Sequence, residues 1–311
     1  MDDLPSHLHP ELAALLPQLA ELTTPTAREV GLAAARTRFG ALLAAGLAGG
    51  PEVPAEDVAL ADGLTARVYR PEESRGATVV FLHGGGWTLG SVDEYEGLAR
   101  RLAARLPAVV LSVEYRRAPE HPFPTAVDDA VEATRWALAH AAELGGEPGR
   151  VAVAGDSGGG NLAAVVCQQL RDAGGPQPAA QVLLYPNVSR GVDQPSVQAF
   201  GQLPFLTLAD MGWYTRNYVP RGTDLADPRI SPAEGDLSGL PPALVVTAGV
   251  DPLHDSGRDY ATALRAAGGE AEWLDLPGMP HGCAHLVALS PAAEAALDRV
   301  LDRAGALLHR R

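Results

Sequence analysis

The sequence has 311 residues, 46% of them hydrophobic, which is enough to form a sizeable core. Its net charge of −14 at pH 7 argues against a nucleic-acid partner or a stable association with an anionic membrane, because both would repel an acidic surface. Two cysteines, Cys167 and Cys283, are too few for a disulfide framework or a four-cysteine metal centre, so we expect neither.

The first part of the chain, residues 1–50, is predicted to be helical. Its apolar residues recur three and four positions apart in ELAALLPQLAEL and in TAREVGLAAARTRFGALLAAGL. This segment is too small for a core of its own, so we expect it to lie on the rest of the chain. The opening residues, MDDLPSHLHP, are acidic and lack the basic region and apolar core of a secretory signal, and no apolar run reaches the roughly 18 residues of a membrane span. We therefore expect a cytoplasmic protein.

A predicted hairpin, VALADGLTARVYRP, follows and turns at Asp62 and Gly63. Short apolar runs then alternate with helical stretches, and the predicted strands lie in ATVVFLHGG, AVVLSVEY, RVAVAG, AAQVLLYP, PALVVTAG and AEWLDLP. Continuous apolar strands that alternate with helices indicate an α/β fold, with a mostly parallel central sheet flanked by helices on both faces.

One interval, residues 187–240, interrupts this alternation. It contains no clear strand, and its one helical stretch, TLADMGWYTRNYV, lies among Pro, Gly and Asp residues. An interval of more than about 50 residues is too long for an ordinary connection between strands. We interpret it as an insertion over the carboxyl ends of the strands, where α/β sheets bind ligands. The predicted α/β unit therefore comprises residues 51–186 and 241–311.

Ser157 is the predicted nucleophile. It lies in a G-x-S-x-G pattern between the apolar run VAVA and the helical run NLAAVVCQQLRD, so it is expected on a sharp strand-to-helix turn that projects its hydroxyl outward. Glycines at such a position also occur in plain tight turns and in phosphate-binding loops. A phosphate-binding loop requires a lysine, which this sequence lacks, and the spacing does not match the G-x-G-x-x-G of dinucleotide-binding proteins.

A serine hydroxyl becomes an effective nucleophile only beside a base that an acid orients. His281 is the favoured base because it follows the predicted strand AEWLDL in a loop, and His285, four residues further on, competes with it. Asp251 is the favoured acid because it follows the strand run PALVVTAG, whereas Asp255 is predicted to cap the next helix. The order Ser157, Asp251, His281 is that of α/β hydrolases.

The run FLHGGGWTLG supplies backbone donors. A turn of glycines exposes N–H groups that can hold a tetrahedral oxyanion, and the loss of one such donor costs about 10²–10³ in rate. A third donor is expected from the N–H of Gly158, at a helix N-terminus where the dipole also favours negative charge. His83 is expected to pin this loop by hydrogen bonds.

These motifs together resemble the bacterial hormone-sensitive-lipase-like esterases, also called family IV. The resemblance rests on HGGGW at 83–87, YRRAPEHPFP at 115–124, GDSGGGNLA at 155–163, DPLHDSG at 251–257 and HG at 281–282, which span about 200 residues in the family's order. It implies an α/β-hydrolase fold with a helical cap built from residues 1–50 and 187–240, and hydrolysis of short- to medium-chain acyl esters. It also implies these roles: Ser157 as nucleophile, Asp251 as acid, His281 as base, and Gly85, Gly86 and Gly158 as oxyanion donors.

Three positions depart from the family's pattern. Gly158 stands where the family usually has alanine, Arg117 where it has leucine, and Cys283 where an aromatic residue follows HG. We interpret Cys283 as a small buried residue rather than a reactive thiol. Asp156 matches the family's elbow aspartate and is expected to brace neighbouring loops by hydrogen bonds.

The predicted function is that of a serine carboxylesterase that needs no metal or organic cofactor. Because its base must be neutral, activity is expected to rise with pH through about 6–7. The acyl and alcohol pockets are expected to draw on residues near strand ends and in the insertion: Trp87, Tyr185, Phe205, Leu206, Met211 and Trp213. The alternatives are a related hydrolase of acetylated sugars, lactones or amides, and a non-catalytic small-molecule binder on the same fold. The resemblance further implies a homodimer through the edge strand at residues 271–276.

Overall fold

The computed structural model describes residues 7–23 and 27–310. The expectation that a secretory signal is absent rests partly on residues 1–6, which lie outside the described residues. Every helix within the described ranges is too short or too polar to span a bilayer.

The central sheet has eight strands within the described residues and lies in the order β1-β2-β4-β3-β5-β6-β7-β8. The pairs β1–β2 and β2–β4 are antiparallel and all the others are parallel, which confirms the prediction of a mostly parallel sheet. The strands are β1 (Ala55–Ala59), β2 (Thr65–Tyr69), β3 (Thr78–Leu82), β4 (Val109–Glu114), β5 (Val151–Asp156), β6 (Gln181–Leu184), β7 (Ala243–Val250) and β8 (Ala271–Pro280).

Helices follow most of the strands, as the alternating pattern predicted. The predicted helical run NLAAVVCQQLRD lies in the helix Gly158–Asp172, and the predicted hairpin turns through a 3₁₀ segment, Ala61–Gly63. The helices are α1 (Pro10–Thr23), α2 (Ala27–Val30), α3 (Leu32–Gly46), α4 (Glu96–Arg105), α5 (Thr125–Ala139), α6 (Gly158–Asp172), α7 (Pro195–Phe200), α8 (Leu208–Tyr218), α9 (His254–Ala266) and α10 (Pro291–Leu308).

The strands β3 to β7 are buried on both faces, which explains why they are continuously apolar. Along β3, Val80 and Leu82 pack on one face while Val79 and Phe81 pack on the other. Helices α5, α6 and α9 cover the first face, and α4 and α10 cover the second. Because the faces are covered, side chains from several loops can meet at the carboxyl ends of the strands.

The N-terminal helices lie on the α/β unit, as predicted. Leu12 of α1 and Leu43 of α3 are fully buried in the same core as α4 and α10. Arg36 of α3 forms a bidentate ion pair with Glu120, with N–O distances of 2.7 and 2.8 Å. These contacts hold α3 beside the loop that follows β4.

The interval 187–240 contains no strand, as predicted, and its predicted helical stretch is confirmed as α8. It also contains α7 and a 3₁₀ turn, which the sequence did not predict. Helix α8 begins with a capping box in which Thr207 and Asp210 satisfy each other's backbone N–H groups. The interval is tied to α6 by Asn161, whose side-chain amide donates to the carbonyls of Asn187 and Ile230, both at 2.8 Å. It is thereby held close to the N-terminal end of α6, next to Ser157.

Candidate active site

Ser157 lies on the turn between β5 and α6. Its backbone has a φ of 54° and a ψ of −117°, a conformation that is strained for a residue with a side chain. The turn is this tight because β5 and α6 approach closely, and a Cβ on Gly155 of β5 would lie 2.3 Å from the carbonyl oxygen of Gly159 in α6. Helix α6 also lies close to β3. A Cβ on Gly159 would lie 1.9 Å from the carbonyl oxygen of Leu82. The turn holds the Ser157 hydroxyl at the carboxyl end of the sheet.

The side chains of Ser157, His281 and Asp251 form one hydrogen-bonded chain. Ser157 Oγ lies 2.9 Å from His281 Nε2, and His281 Nδ1 lies 2.7 Å from Asp251 Oδ2. Asp251 is fully buried, and its other carboxylate oxygen accepts the Leu253 N–H at 2.8 Å. A carboxylate that accepts from Nδ1 favours the tautomer in which Nε2 can accept the serine proton. This arrangement prepares Ser157 Oγ for attack on a carbonyl carbon.

The competing candidates for base and acid, His285 and Asp255, point elsewhere. His285 Nε2 lies 3.0 Å from an oxygen of Asp156. Asp255 accepts the Ser196 N–H at 2.9 Å. The prediction that Asp255 caps a helix is wrong, because Leu253 occupies the cap of α9 and Asp255 lies within its first turn.

The glycine loop, defined here as residues 84–86, follows β3, and its Gly85 and Gly86 line the same cavity as Ser157. Gly85 and Gly86 have φ values of +100° and +59°, in the left-handed region that favours glycine. Glycine is also required sterically, since a Cβ on Gly86 would lie 2.3 Å from the ring of Tyr214. The loop can therefore turn its backbone towards the serine without side chains intervening.

His83 fastens this loop from within the core. Its Nδ1–H donates to the Gly84 carbonyl at 2.8 Å, and the Tyr115 hydroxyl donates to the His83 carbonyl at 2.8 Å. The Tyr115 ring stacks on the imidazole with the ring centroids 4.3 Å apart. Burial lowers the pKa of His83, which keeps the ring neutral at pH 7. These contacts confirm the expectation that His83 pins the loop.

Gly158 begins α6 opposite the glycine loop. A Cβ at this position would lie 3.3 Å from the backbone nitrogen of Gly86. The helix N-terminus and the loop thus enclose one small space, and Gly85, Gly86 and Gly158 all line the cavity beside Ser157. Backbone N–H groups at a helix N-terminus and in a glycine loop can stabilise the negative charge that develops on a carbonyl oxygen.

Asp156 joins the serine turn to the glycine loop. It is fully buried, and its Oδ1 accepts the Gly84 N–H at 2.8 Å. Its Oδ2 accepts the Tyr95 hydroxyl at 3.3 Å and lies 3.0 Å from His285 Nε2. These hydrogen bonds confirm the expectation that Asp156 braces neighbouring loops.

A cavity of about 100 Å³ opens beside Ser157 and His281. Four residues predicted to contribute to the substrate pocket line it: Trp87, Phe205, Leu206 and Met211. Sequence reasoning missed other lining residues that come from α3, α8 and loops at the strand ends: Phe39, Leu42, Asn187, Tyr214, Leu253, His285 and Leu286. The apolar periodicity of α3 was the one sequence signal that could have found any of these residues, but it does not distinguish residues that face a cavity from residues that face the core.

Tyr185 and Trp213 do not line this cavity, which corrects the prediction that they do. Tyr185 is 1% exposed and meets the His281 ring edge-on, with the centroids 5.0 Å apart. Trp213 is buried with Ala35 and Leu89 in a separate cluster. Successive residues of a helix point in different directions, so Tyr214 lines the cavity and Trp213 does not.

Two of the three positions that depart from the family's pattern, Cys283 and Arg117, are explained by their surroundings in the structure. Cys283 is 2% exposed, and burial raises its pKa to about 12, which confirms its interpretation as a buried residue rather than a reactive thiol. The Arg117 guanidinium donates to the Gly90 carbonyl and lies 3.4 Å from the Glu114 carboxylate. An arginine in place of leucine therefore secures the chain just beyond the glycine loop.

Known proteins share this architecture. A family model, Abhydrolase_3, described as an α/β-hydrolase fold, matches residues 79–285. The carboxylic ester hydrolase LipN of Mycobacterium tuberculosis is 46% identical over 256 residues, which cover 79% of this chain and 68% of LipN. An ethyl acetate hydrolase of Pseudomonas putida is 36% identical over 313 residues, which cover 95% of this chain and 98% of that enzyme.

Solved structures are similar over almost the whole chain. The ester hydrolase EH1AB1 from the metagenome of Lake Arreo, solved with a bipyridine phosphonate derivative, has a TM-score of 0.90 and 38% sequence identity, and the match covers 96% of this chain and 98% of that one. The fold, the family match over more than half of the chain and these relatives agree with the resemblance predicted from the motifs. The chain belongs to the Abhydrolase_3 family of α/β hydrolases, the hormone-sensitive-lipase-like esterases of family IV.

Proposed function

We propose that Ser157, His281 and Asp251 carry out the ester hydrolysis of this carboxylesterase through a covalent acyl-enzyme. The observation that carries the proposal is the hydrogen-bonded chain from Ser157 Oγ to His281 Nε2, at 2.9 Å, and from His281 Nδ1 to Asp251, at 2.7 Å. Names such as carboxylic ester hydrolase and ethyl acetate hydrolase among the relatives support the reaction class.

Acylation begins when Ser157 Oγ attacks the ester carbonyl carbon and His281 Nε2 takes the hydroxyl proton. The carbonyl oxygen becomes an oxyanion, which the N–H groups of Gly85, Gly86 and Gly158 stabilise. The tetrahedral intermediate collapses as His281 gives the proton to the departing alkoxide, and the alcohol leaves. The acyl group is then an ester of the serine.

Deacylation repeats these steps with water as the nucleophile. His281 Nε2 takes a proton from water, whose oxygen attacks the acyl carbon in the same oxyanion site. The second tetrahedral intermediate expels Ser157 Oγ, which recovers its proton from His281, and the carboxylic acid is released. Asp251 stays ionised throughout and stabilises the imidazolium that forms twice in each cycle.

The proposed substrates are short- to medium-chain acyl esters. The cavity beside the serine is small, at about 100 Å³, and apolar side chains dominate its lining. Phe39 and Leu42 from α3, together with Phe205 and Met211 from the interval 187–240, line it. We therefore assign residues 1–50 and 187–240 to a cap over the α/β unit.

Ser157→Ala tests the nucleophile. The variant is expected to lose at least about 10³-fold in kcat towards 4-nitrophenyl butyrate, because no other atom replaces Oγ in the attack. A fluorophosphonate probe is expected to label the wild type and not the variant, which also distinguishes an enzyme from a non-catalytic binder. The matched control is Ser74→Ala, an exposed serine before β3 that is expected to keep wild-type activity. Retained turnover in a folded Ser157→Ala protein would refute the assignment.

A homodimer through β8 is the proposed assembly. This strand is the last of the sheet, so one of its edges has no neighbouring strand within the described residues, and Trp273 on it is 37% exposed. Light scattering coupled to size-exclusion chromatography is expected to give twice the chain mass of 32.3 kDa. A mass of one chain at micromolar concentration would contradict this assembly.

The proposed location is the cytoplasm. Cys167 and Cys283 are both buried as free thiols, a state that a reducing compartment maintains. Cell fractionation with an antibody against the protein tests this location, and recovery in the culture medium would contradict it.

A further inference from the structure

A second histidine–aspartate pair lies next to the catalytic one. His285 Nε2 is 3.0 Å from Asp156 Oδ2, and both side chains are buried. Asp156 directly precedes Ser157, and His285 lies four residues after His281. The hydrolytic cycle described above uses neither group, so their pairing in the core needs a separate explanation.

Asp156 connects this pair to the oxyanion donors. One of its carboxylate oxygens accepts the Gly84 N–H at 2.8 Å, and Gly84 directly precedes Gly85 and Gly86. The contact is close, since a Cβ on Gly84 would lie 2.4 Å from Asp156 Oδ2. A change in the orientation of the carboxylate would therefore displace the glycine loop.

His285 determines how this carboxylate is held. The two side chains that hydrogen-bond to Asp156 in the described part of the chain are Tyr95, at 3.3 Å, and His285, at 3.0 Å. Of these two hydrogen bonds, the one from His285 is the shorter. A buried carboxylate is costly unless hydrogen bonds compensate it, so the loss of this contact leaves the carboxylate less firmly held.

The His285 ring is itself fixed by packing. Its backbone N–H donates to the Gly282 carbonyl at 2.8 Å, within a 3₁₀ turn that follows His281. The rings of Phe39 and Tyr95 meet it edge-on, with centroid distances of 6.2 and 5.2 Å. The ring nitrogen that faces Asp156 therefore has a defined position.

We infer that His285 is a positioning residue of the oxyanion hole: its hydrogen bond to Asp156 holds the glycine loop in the geometry that stabilises the oxyanion. The inference rests on the proposed function of Ser157 and the glycine donors. It predicts that loss of this hydrogen bond slows catalysis without weakening substrate binding, because the oxyanion forms only during the reaction.

The variants His285→Leu and His285→Gln separate the hydrogen bond from the packing. Leucine fills the space without a donor, whereas the glutamine amide places an N–H near the position of Nε2. We expect His285→Leu to lose about tenfold to hundredfold in kcat, somewhat less than the loss of a complete oxyanion donor. KM for 4-nitrophenyl butyrate is expected to stay within about threefold, and the pH midpoint of kcat/KM is expected to stay unchanged if His281 is undisturbed. His285→Gln is expected to recover most of the lost kcat.

Hydrogen exchange of the peptide that contains residues 83–89 gives a readout that does not depend on activity. Exchange in the glycine loop is expected to be faster in His285→Leu than in the wild type and close to wild type in His285→Gln. The control His121→Leu, at an exposed histidine, is expected to change neither exchange nor kcat.

Two results would overturn the inference. One is a folded His285→Leu protein with wild-type kcat and wild-type exchange. The other is a His285→Gln variant as impaired as His285→Leu, which would show that packing rather than the hydrogen bond matters. If the wild type itself fails to hydrolyse esters in a Ser157-dependent way, the proposed function fails, and the exchange measurement alone decides the role of His285.

Discussion

Two neighbouring glycines of the serine turn face different steric demands. Gly159 cannot carry a side chain, because a Cβ there would lie 1.9 Å from the carbonyl oxygen of Leu82. Gly158 is much less crowded, because the nearest atoms, in the backbone of Gly86 and Trp87, would lie 3.3 Å from a Cβ and would need only a small shift to accommodate it. Its φ is also not in the left-handed region. The glycine that departs from the family's usual alanine is therefore the more replaceable of the two.

Gly158→Ala is expected to increase the free energy of unfolding by about 0.5 kcal/mol, because alanine restricts the unfolded chain more than glycine does. It is expected to keep kcat within about threefold, since the backbone N–H remains in place. Urea unfolding and turnover of 4-nitrophenyl butyrate measure the two effects. The matched control, Gly159→Ala, is expected to destabilise the fold by about 3 kcal/mol through overpacking. A loss of activity in Gly158→Ala as large as in Gly159→Ala would show that the site needs the extra space.

The junction of α9 with β8 is held by a histidine between two carboxylates. His254 Nδ1 lies 3.3 Å from Asp255, and His254 Nε2 lies 3.3 Å from Asp275 on β8. The hydrogen bond to Asp275 is the main cause that raises the pKa of His254, and burial partly opposes it. Burial is the largest single influence on Asp255 and Asp275 and acts to raise their pKa values. The pKa of each is nevertheless lowered, because the Ser196 N–H and His254 hydrogen-bond to Asp255, and His254 hydrogen-bonds to Asp275. This cluster joins the first turn of α9 to the edge strand.

The His254 cluster makes stability depend on pH. A histidine whose pKa is raised by folding stabilises the fold below its unfolded pKa of about 6.5, and this contribution is lost as the pH rises through the folded pKa. His254→Gln is therefore expected to lower the free energy of unfolding by about 0.5–1 kcal/mol at pH 5.5 and by much less at pH 9. Urea unfolding at both pH values measures the difference. In an Asp275→Asn background, the loss of unfolding free energy caused by His254→Gln is expected to depend less on pH. In the wild-type background, an equal loss at pH 5.5 and pH 9 would contradict this role of His254.

The whole molecule has two neighbouring cavities beneath the proposed cap. The cavity beside Ser157 adjoins a second one of about 120 Å³. Five residues line both cavities and thus form the wall between them: Phe39, Leu42, Pro204, Phe205 and Tyr214. Tyr214 also lies directly over the glycine loop, against Gly86. Under the proposed function, we expect the length of acyl chain that fits to depend on how α3 and α8 are packed against each other.

Tyr214→Ala is expected to join the two cavities and shift the preference towards longer acyl chains. Each additional buried methylene contributes about 0.8 kcal/mol, so burial of about two of the four extra methylenes of octanoate is expected to raise the ratio of kcat/KM for octanoate to that for butyrate about tenfold. A series of 4-nitrophenyl esters from acetate to laurate measures the shift. Arg216→Ala, at an exposed position on the same helix, is the control and should leave the chain-length profile unchanged. An unchanged profile in Tyr214→Ala would show that the second cavity does not receive substrate.

Several features of this protein were determined by its sequence alone. The alternation of apolar runs and helical stretches predicted the α/β sheet, because strand burial and helix periodicity are properties of short segments. The G-x-S-x-G pattern predicted a sharp turn at Ser157, and the glycines before Trp87 predicted an open backbone, because both depend on local backbone geometry. The motif order predicted the family. These inferences required no knowledge of which distant segments meet.

Only the tertiary structure decided which side chains meet. His281 and His285 are four residues apart in one loop, yet one reaches Ser157 and the other Asp156. Phe39, far from the serine in the chain, reaches its cavity, whereas Trp213 on α8 turns away from it. The physical reason is that side-chain direction and distance across elements depend on how helices and strands pack, and a few ångströms in that packing determine whether a group touches substrate, a neighbouring loop or the core.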